Sequence, residues 1–272
     1  MFPNLIRPAG FASSGGVGLQ AETISWISRV QGLGGQPTTA GTAAVDAFFV
    51  AIKSQSYYSK IKLLQLFAGT TTIASAMAPL LHPSNTAATL TGFSSSDYTA
   101  SGSGAGIQGN GSGYINHNYS LYGNTPGSSA AIGTYSKTDV GYAVDDVGCN
   151  LSASALFVIS AKWTDGNCYA PSFELPNGAI SITSPGGAGF CVLSRVSSTD
   201  ARYYLSGTQY GIAATATSPM PSTLNAFYSF ASGTSGSGVS LRKLTFSFAA
   251  TGLTPTDVAN FSTAVATLVG AL

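Results

Sequence analysis

Charge is what this sequence has least of. Asp, Glu, Lys and Arg make up 8% of its 272 residues, against roughly 25% in an ordinary soluble domain. Eleven basic and ten acidic residues leave a net charge of +1. The basic surplus that would hold nucleic acid by its phosphates is missing. So is a polybasic segment for an anionic membrane surface. Cysteine is also scarce. Cys149, Cys168 and Cys191 are odd in number and none forms CxxC, so neither a disulfide framework nor a zinc site is indicated. They read as small buried apolar residues. No apolar run is long enough to span a bilayer, and the opening MFPNLIRPAGFASSGG lacks a signal-peptide core. The expectation is synthesis in a cytoplasm, without a signal peptide and without membrane insertion.

Small polar residues fill the gap. The chain carries 38 Ser, 28 Thr and 33 Gly. Hydrophobic residues at 44% and aromatics at 11% exclude disorder. A surface built from Ser, Thr, Gly and Tyr has little charge to resist association. A chain of this kind is expected to live packed in an assembly, as a homo-oligomer, or outside a cell.

Residues 1–41 read as an extended, Gly/Pro-rich arm with one apolar patch, Ile24, Trp26, Ile27 and Val30. That patch is expected either to dock on a partner subunit, the favoured reading, or to pack along the arm's own domain. Residues 42–272 read as one domain. A helix is expected after an N-cap at Thr42, because Val45, Phe48, Phe49 and Ile52 share one face. Short strands between Gly/Ser/Asn/Pro turns follow. In 242–248, Leu244, Phe246 and Phe248 alternate with Lys243, Thr245 and Ser247, which predicts one buried and one wet face. Thr254, Pro255 and Asp257 open a C-terminal helix with Val258, Phe261, Val265 and Leu268 on one stripe. The fold class is mainly β: an antiparallel β-sandwich with a helix at each end.

Few residues offer chemistry. Gly104, Gly106 and Gly109 match GxGxxG, but no apolar strand precedes them and no helix follows, so nucleotide binding is not expected. His82 and His117 have no Ser and carboxylate placed beside them by sequence, and GxSxG is absent. The chain is not expected to be an enzyme. Asp145 and Asp146 are adjacent, and neighbours on an extended chain face opposite ways. They read as a solvated turn or, with nearby carbonyls, as calcium ligands; no other cofactor is expected. The segment WTDGNCY sets Trp163 beside Asp165, Asn167 and Tyr169, a mix that can stack on and hydrogen-bond a sugar. A turn with a half-buried Trp explains it equally well.

The order VDAFFVAIKS, YYSKIKLLQLFAG, GNGSGYINHNYS, ARYYLSGTQYGIAATATS, NAFYSFASGTSG and LRKLTFSFAATGLTPTDVANFSTAVATL resembles the concanavalin A-like (LamG-like) jelly-roll domains of tailed-bacteriophage virion proteins. GNGSGYIN (109–116) resembles the family's strand entry, RYYLSG (202–207) its hairpin strand, and 253–268 its closing helix. The resemblance covers about residues 42–272. It implies a structural virion protein of decoration, head-fibre or tail-fibre type, held to capsid or tail subunits by its arm and displayed on the virion surface after synthesis in the host bacterium. A trimer is the favoured oligomer. The alternative on the same fold is an adhesin for host cell-surface polysaccharide.

Overall fold

The structure is a computed structural model and describes residues 18–122, 124–125, 128–152, 155–172, 179–213, 226–233 and 239–272. It is built in layers: helices, then a broad sheet, then a second sheet. The broad sheet has eight antiparallel strands. Its path runs β13 (Thr208–Ala213), β12 (Asp200–Leu205), β11 (Gly189–Ser197), β6 (Ala130–Ser136), β15 (Lys243–Ala250), β4 (Gly106–Gln108) and β3 (Tyr98–Thr99). Strand β1 (Ile61–Leu66) shares one edge of β15 with β4. The second sheet runs β2 (Thr89–Thr91), β5 (Tyr114–Asn116), β14 (Tyr228–Ser229), β7 (Val147–Ser152) and β8 (Ala155–Ile159). A ribbon of β9 (Asn167–Pro171) and β10 (Ala179–Thr183) joins β8 through isolated bridges. The antiparallel β-sandwich read from the sequence is therefore present.

One face of the broad sheet packs on the second sheet and ribbon through Ile132, Leu193, Tyr203, Phe157, Ile159 and Cys168. The other face is covered by three helices, α1 (Ala21–Gly32), α2 (Thr39–Lys53) and α3 (Pro255–Gly270). Phe261 of α3 packs edge-on against Phe248 with ring centroids 5.0 Å apart, and also meets Phe48, Tyr57, Phe190 and Phe246. Helix α3 starts where the sequence says it should. Thr254 caps it, Pro255 fills the first turn, and Asp257 returns a bond to the Thr254 amide. The hairpin β12–β13 turns on Ser206 and Gly207, both at positive φ, in the geometry favoured for two-residue connections.

Three expectations are corrected. The described part of the arm, from residue 18, is not extended. It carries α1, and the boundary at 41/42 falls inside α2, whose cap is Thr38 rather than Thr42. Residues 1–17 lie outside the described residues. Of the docking patch, Trp26 and Val30 are buried in this chain's own core and Ile27 packs against it, so only Ile24 is exposed. Arg29 ties α1 down by donating to the carbonyls of Pro79 and Leu80. Strand β15 has no wet face: Thr245 and Ser247 are fully buried. Thr245 Oγ1 donates to Ala105 O, and Ser247 Oγ hydrogen-bonds Ser229 and Thr134. With each hydroxyl paired, burial carries little penalty. Among the described residues no helix is long and apolar enough to cross a membrane.

Candidate functional site

A buried ion pair organises one end of the sandwich. Arg242 precedes β15 and Asp146 precedes β7; both side chains have 0% exposure. Charges this deep persist only when paired and hydrogen-bonded. Arg242 Nη1 donates to Asp146 Oδ2, which also accepts from the Ala161 amide at 2.9 Å. Ser240 Oγ donates to the other oxygen at 2.8 Å. Burial opposes the Arg242 charge, but Asp146 offsets this and holds its pKa above the ordinary value. The second guanidinium nitrogen donates to the carbonyls of Val140 and Lys162. One side chain thus fixes two surface loops. The Tyr142 ring lies 5.8 Å from the guanidinium carbon.

Asp145 and Asp146 face separate partners, as the extended backbone requires. Asp145 accepts from Ser160 at 2.7 Å and Ser232 at 2.6 Å. Burial raises its pKa; the two serine hydrogen bonds act the other way. The solvated-turn reading is therefore corrected, since Asp146 is wholly buried. All four carboxylate oxygens already accept from protein donors. Among the described residues no group of three or more His, Cys, Asp and Glu could hold a metal ion.

The second loop carries Trp163, Asp165, Asn167 and Tyr169, and the structure brings these four together. Trp163 N donates to Asn167 O at 2.6 Å and Gly166 N to Trp163 O at 3.0 Å, closing a tight turn before β9. Gly166 sits at φ +83°, where a side chain would be strained. Asp165 Oδ1 accepts from the Asn167 amide at 2.8 Å. Its Oδ2 accepts from Tyr169 OH at 2.6 Å and Asn167 Nδ2 at 3.2 Å. The Tyr169 hydroxyl, ahead of the Asn167 bonds, holds the Asp165 pKa below the usual carboxylate value. Trp163 and Tyr169 meet edge to face at 5.8 Å and 81°. Asp165 is exposed and the other three are half-buried. The result is a pre-ordered surface of two aromatic rings, a carboxylate, an amide and a phenol.

Sequence reasoning missed Arg242, Val140, Tyr142 and Lys162, which hold or border this turn. The available signal was scarcity: with so few charges, an Arg beside an apolar strand and an Asp–Asp pair elsewhere were candidates for mutual burial. The remaining chemistry-like features are structural. His117 is buried; its Nε2 lies 2.8 Å from Ser229 Oγ, which bonds Ser247 rather than a carboxylate. Gly106 opens β4 and no helix follows, so the glycine motif is a loop entering a strand.

No family model matches the sequence, and no curated protein matches it. Among solved structures, the chain is similar to domain 4 of an extracellular GH43 arabinanase from Geobacillus stearothermophilus, determined in complex with arabinotriose. The TM-score is 0.50 and identity 14%, over 75% of this chain and 99% of that one. It is also similar to Trypanosoma rangeli sialidase in complex with 2,3-difluorosialic acid, at TM-score 0.46 and 11% identity, covering 89% of this chain but 38% of the sialidase. NanB sialidase from Streptococcus pneumoniae gives TM-score 0.44 and 13% identity, over 57% of this chain and 27% of the enzyme. At these identities the arabinanase likeness speaks for a shared fold. The structures named here are glycosidases or a domain of one, and none is a virion component.

Proposed function

We propose that this chain is a non-catalytic binding module that contacts a cell-surface polysaccharide through the Trp163–Tyr169 turn. The observation that carries the reading is the turn's pre-ordering. Its polar groups are fixed by one another, and its loop is fixed from below by the buried Arg242, so little ordering entropy remains to oppose binding. Aromatic rings flanked by a few fixed polar groups form the kind of surface that orients a sugar ring. The arabinanase domain solved with arabinotriose supports the reading at the level of fold. The proposed setting is the surface of a virion, as a homo-oligomer on capsid or tail subunits; its support is the sequence resemblance and the scarcity of charge.

The test is binding of the purified chain to a panel of bacterial surface polysaccharides and plant arabinans, read by calorimetry. At least one neutral or acidic glycan should bind saturably, and Trp163→Ala should weaken it roughly tenfold or more. No binding across the panel, or unchanged binding by the variant, refutes the assignment.

A further inference from the structure

Ion pairs among the described residues take Lys53, Lys60, Lys162, Arg202 and Arg242. Two cations outside those pairs lie together. Lys137 follows β6 and Lys243 opens β15; Lys137 N donates to Lys243 O at 2.8 Å. Their side chains reach the same Gly-rich turn. Lys137 Nζ donates to Ser103 O at 3.0 Å. Lys243 Nζ donates to Gly104 O at 3.0 Å and lies 3.5 Å from Thr99 Oγ1. The two ammonium groups thus bind consecutive carbonyls of one turn. Among the described residues no carboxylate pairs with either lysine, although the adjacent turn also binds Leu272 O through the Gly102 amide.

The hydrogen-bond partners of these two like charges are two carbonyls and a hydroxyl. Burial, then repulsion from Lys243, lowers the Lys137 pKa. An ammonium has three N–H donors. Lys137 spends one and Lys243 two, so three of the six remain. The turn is open: Ser101, Gly102 and Ser103 are exposed, and a Cβ placed on Gly104 would find nothing nearer than Lys243 Nζ at 3.8 Å. Five of the ten described Lys and Arg residues pair with acids, and these two lysines stand on one turn without such a partner among the described residues.

We propose that Lys137, Lys243 and the Ser101–Gly104 turn form a binding site for an anionic oxygen group: a carboxylate, sulfate or phosphate. Compact ammonium charges suit such a group, which supplies the missing counter-charge and relieves the repulsion between them. The site shares no residue with the Trp163 turn, so it stands or falls independently of the glycan contact proposed there.

The experiment uses the full chain, labelled with nitrogen-15, at constant ionic strength set with chloride. Sulfate, phosphate and a galacturonate trisaccharide are titrated in separate arms, and the Ser103 and Gly104 amides are followed. The expected result is a saturable shift at these amides with at least one anion. The arm that saturates at the lowest concentration identifies the source. Lys137→Gln and Lys243→Gln should each weaken binding about tenfold, with the rest of the spectrum unchanged, while Trp163→Ala should leave it intact. Linear, non-saturating shifts in every arm overturn the proposal. So does wild-type affinity in the exposed-side variant Lys137→Gln or in the double variant.

Discussion

Acid should destabilise this protein well above the range where carboxylates titrate, and His117 is the reason. Its ring is buried, stacked on Phe227 at 4.8 Å, with Nε2 on Ser229 and Nδ1 without a hydrogen-bond partner. Burial, helped by repulsion from His82, pushes its pKa down from 6.5 to about 3. The folded protein therefore keeps this histidine neutral at a pH where the unfolded chain protonates it. Stability is unaffected above the unfolded value and falls as pH drops from about 6.5 towards 3. Between pH 7 and pH 5 the loss is about 1.5 pKa units of unfolded-state protonation, or ~2 kcal/mol. His82, also lowered, adds a loss of the same sign. Asp145 acts oppositely: its raised pKa favours the folded state at low pH. Urea unfolding at pH 7, 6 and 5 for wild type and His117→Gln isolates the His117 share, because the other groups are common to both. The wild type should lose about 2 kcal/mol more than the variant over this range. Equal pH slopes in the two proteins, or a wild type that is flat from pH 7 to 5, refute the reasoning.

Other expectations follow from the packing. Asp146→Asn leaves the Arg242 charge buried and unpaired and should cost about 3–5 kcal/mol; an Asp146→Leu/Arg242→Met double variant should cost markedly less, which a denaturation double-mutant cycle reads. Phe261→Ala removes the ring at the centre of the helix–sheet contact and should cost about 3–5 kcal/mol in the same assay. Thr254→Ala removes the cap of α3 and should cost about 1 kcal/mol.

The elements legible in the sequence are those whose signals are local. The α3 start motif sits within four residues, and the α2 stripe within one helix face. Helix α2 starts before the expected Thr42 cap and runs through Gly41. That glycine serves close approach: a Cβ there would lie 2.3 Å from Gly69 O. Helix α1 was hidden by its glycine-rich flanks, and what stabilises it is distant, in α2 and the carbonyls of residues 79–80. The buried hydroxyls of β15 look solvent-facing in the sequence because their partners, Ala105 before β4, Thr134 in β6 and Ser229 in β14, are distant in the chain. The same divide holds for the candidate site. Trp163 to Tyr169 is a local turn whose residues are legible together; the Arg242–Asp146 pair spans 96 residues, and only the scarcity of charge points to it.

The place of β15 has a consequence for how the chain is made. This strand follows its partners in the chain and pairs with β6 on one edge and with both β1 and β4 on the other. Until residues 243–250 arrive, both sheet edges they will occupy stay open, and the apolar faces of α2 and β1 lack Phe246, Phe248 and Phe261. Folding of the layered core therefore waits for residues 243–250 and is governed by contacts of long sequence separation, which favours slow closure. During that interval the unpaired edges are open to pairing with edges of other chains.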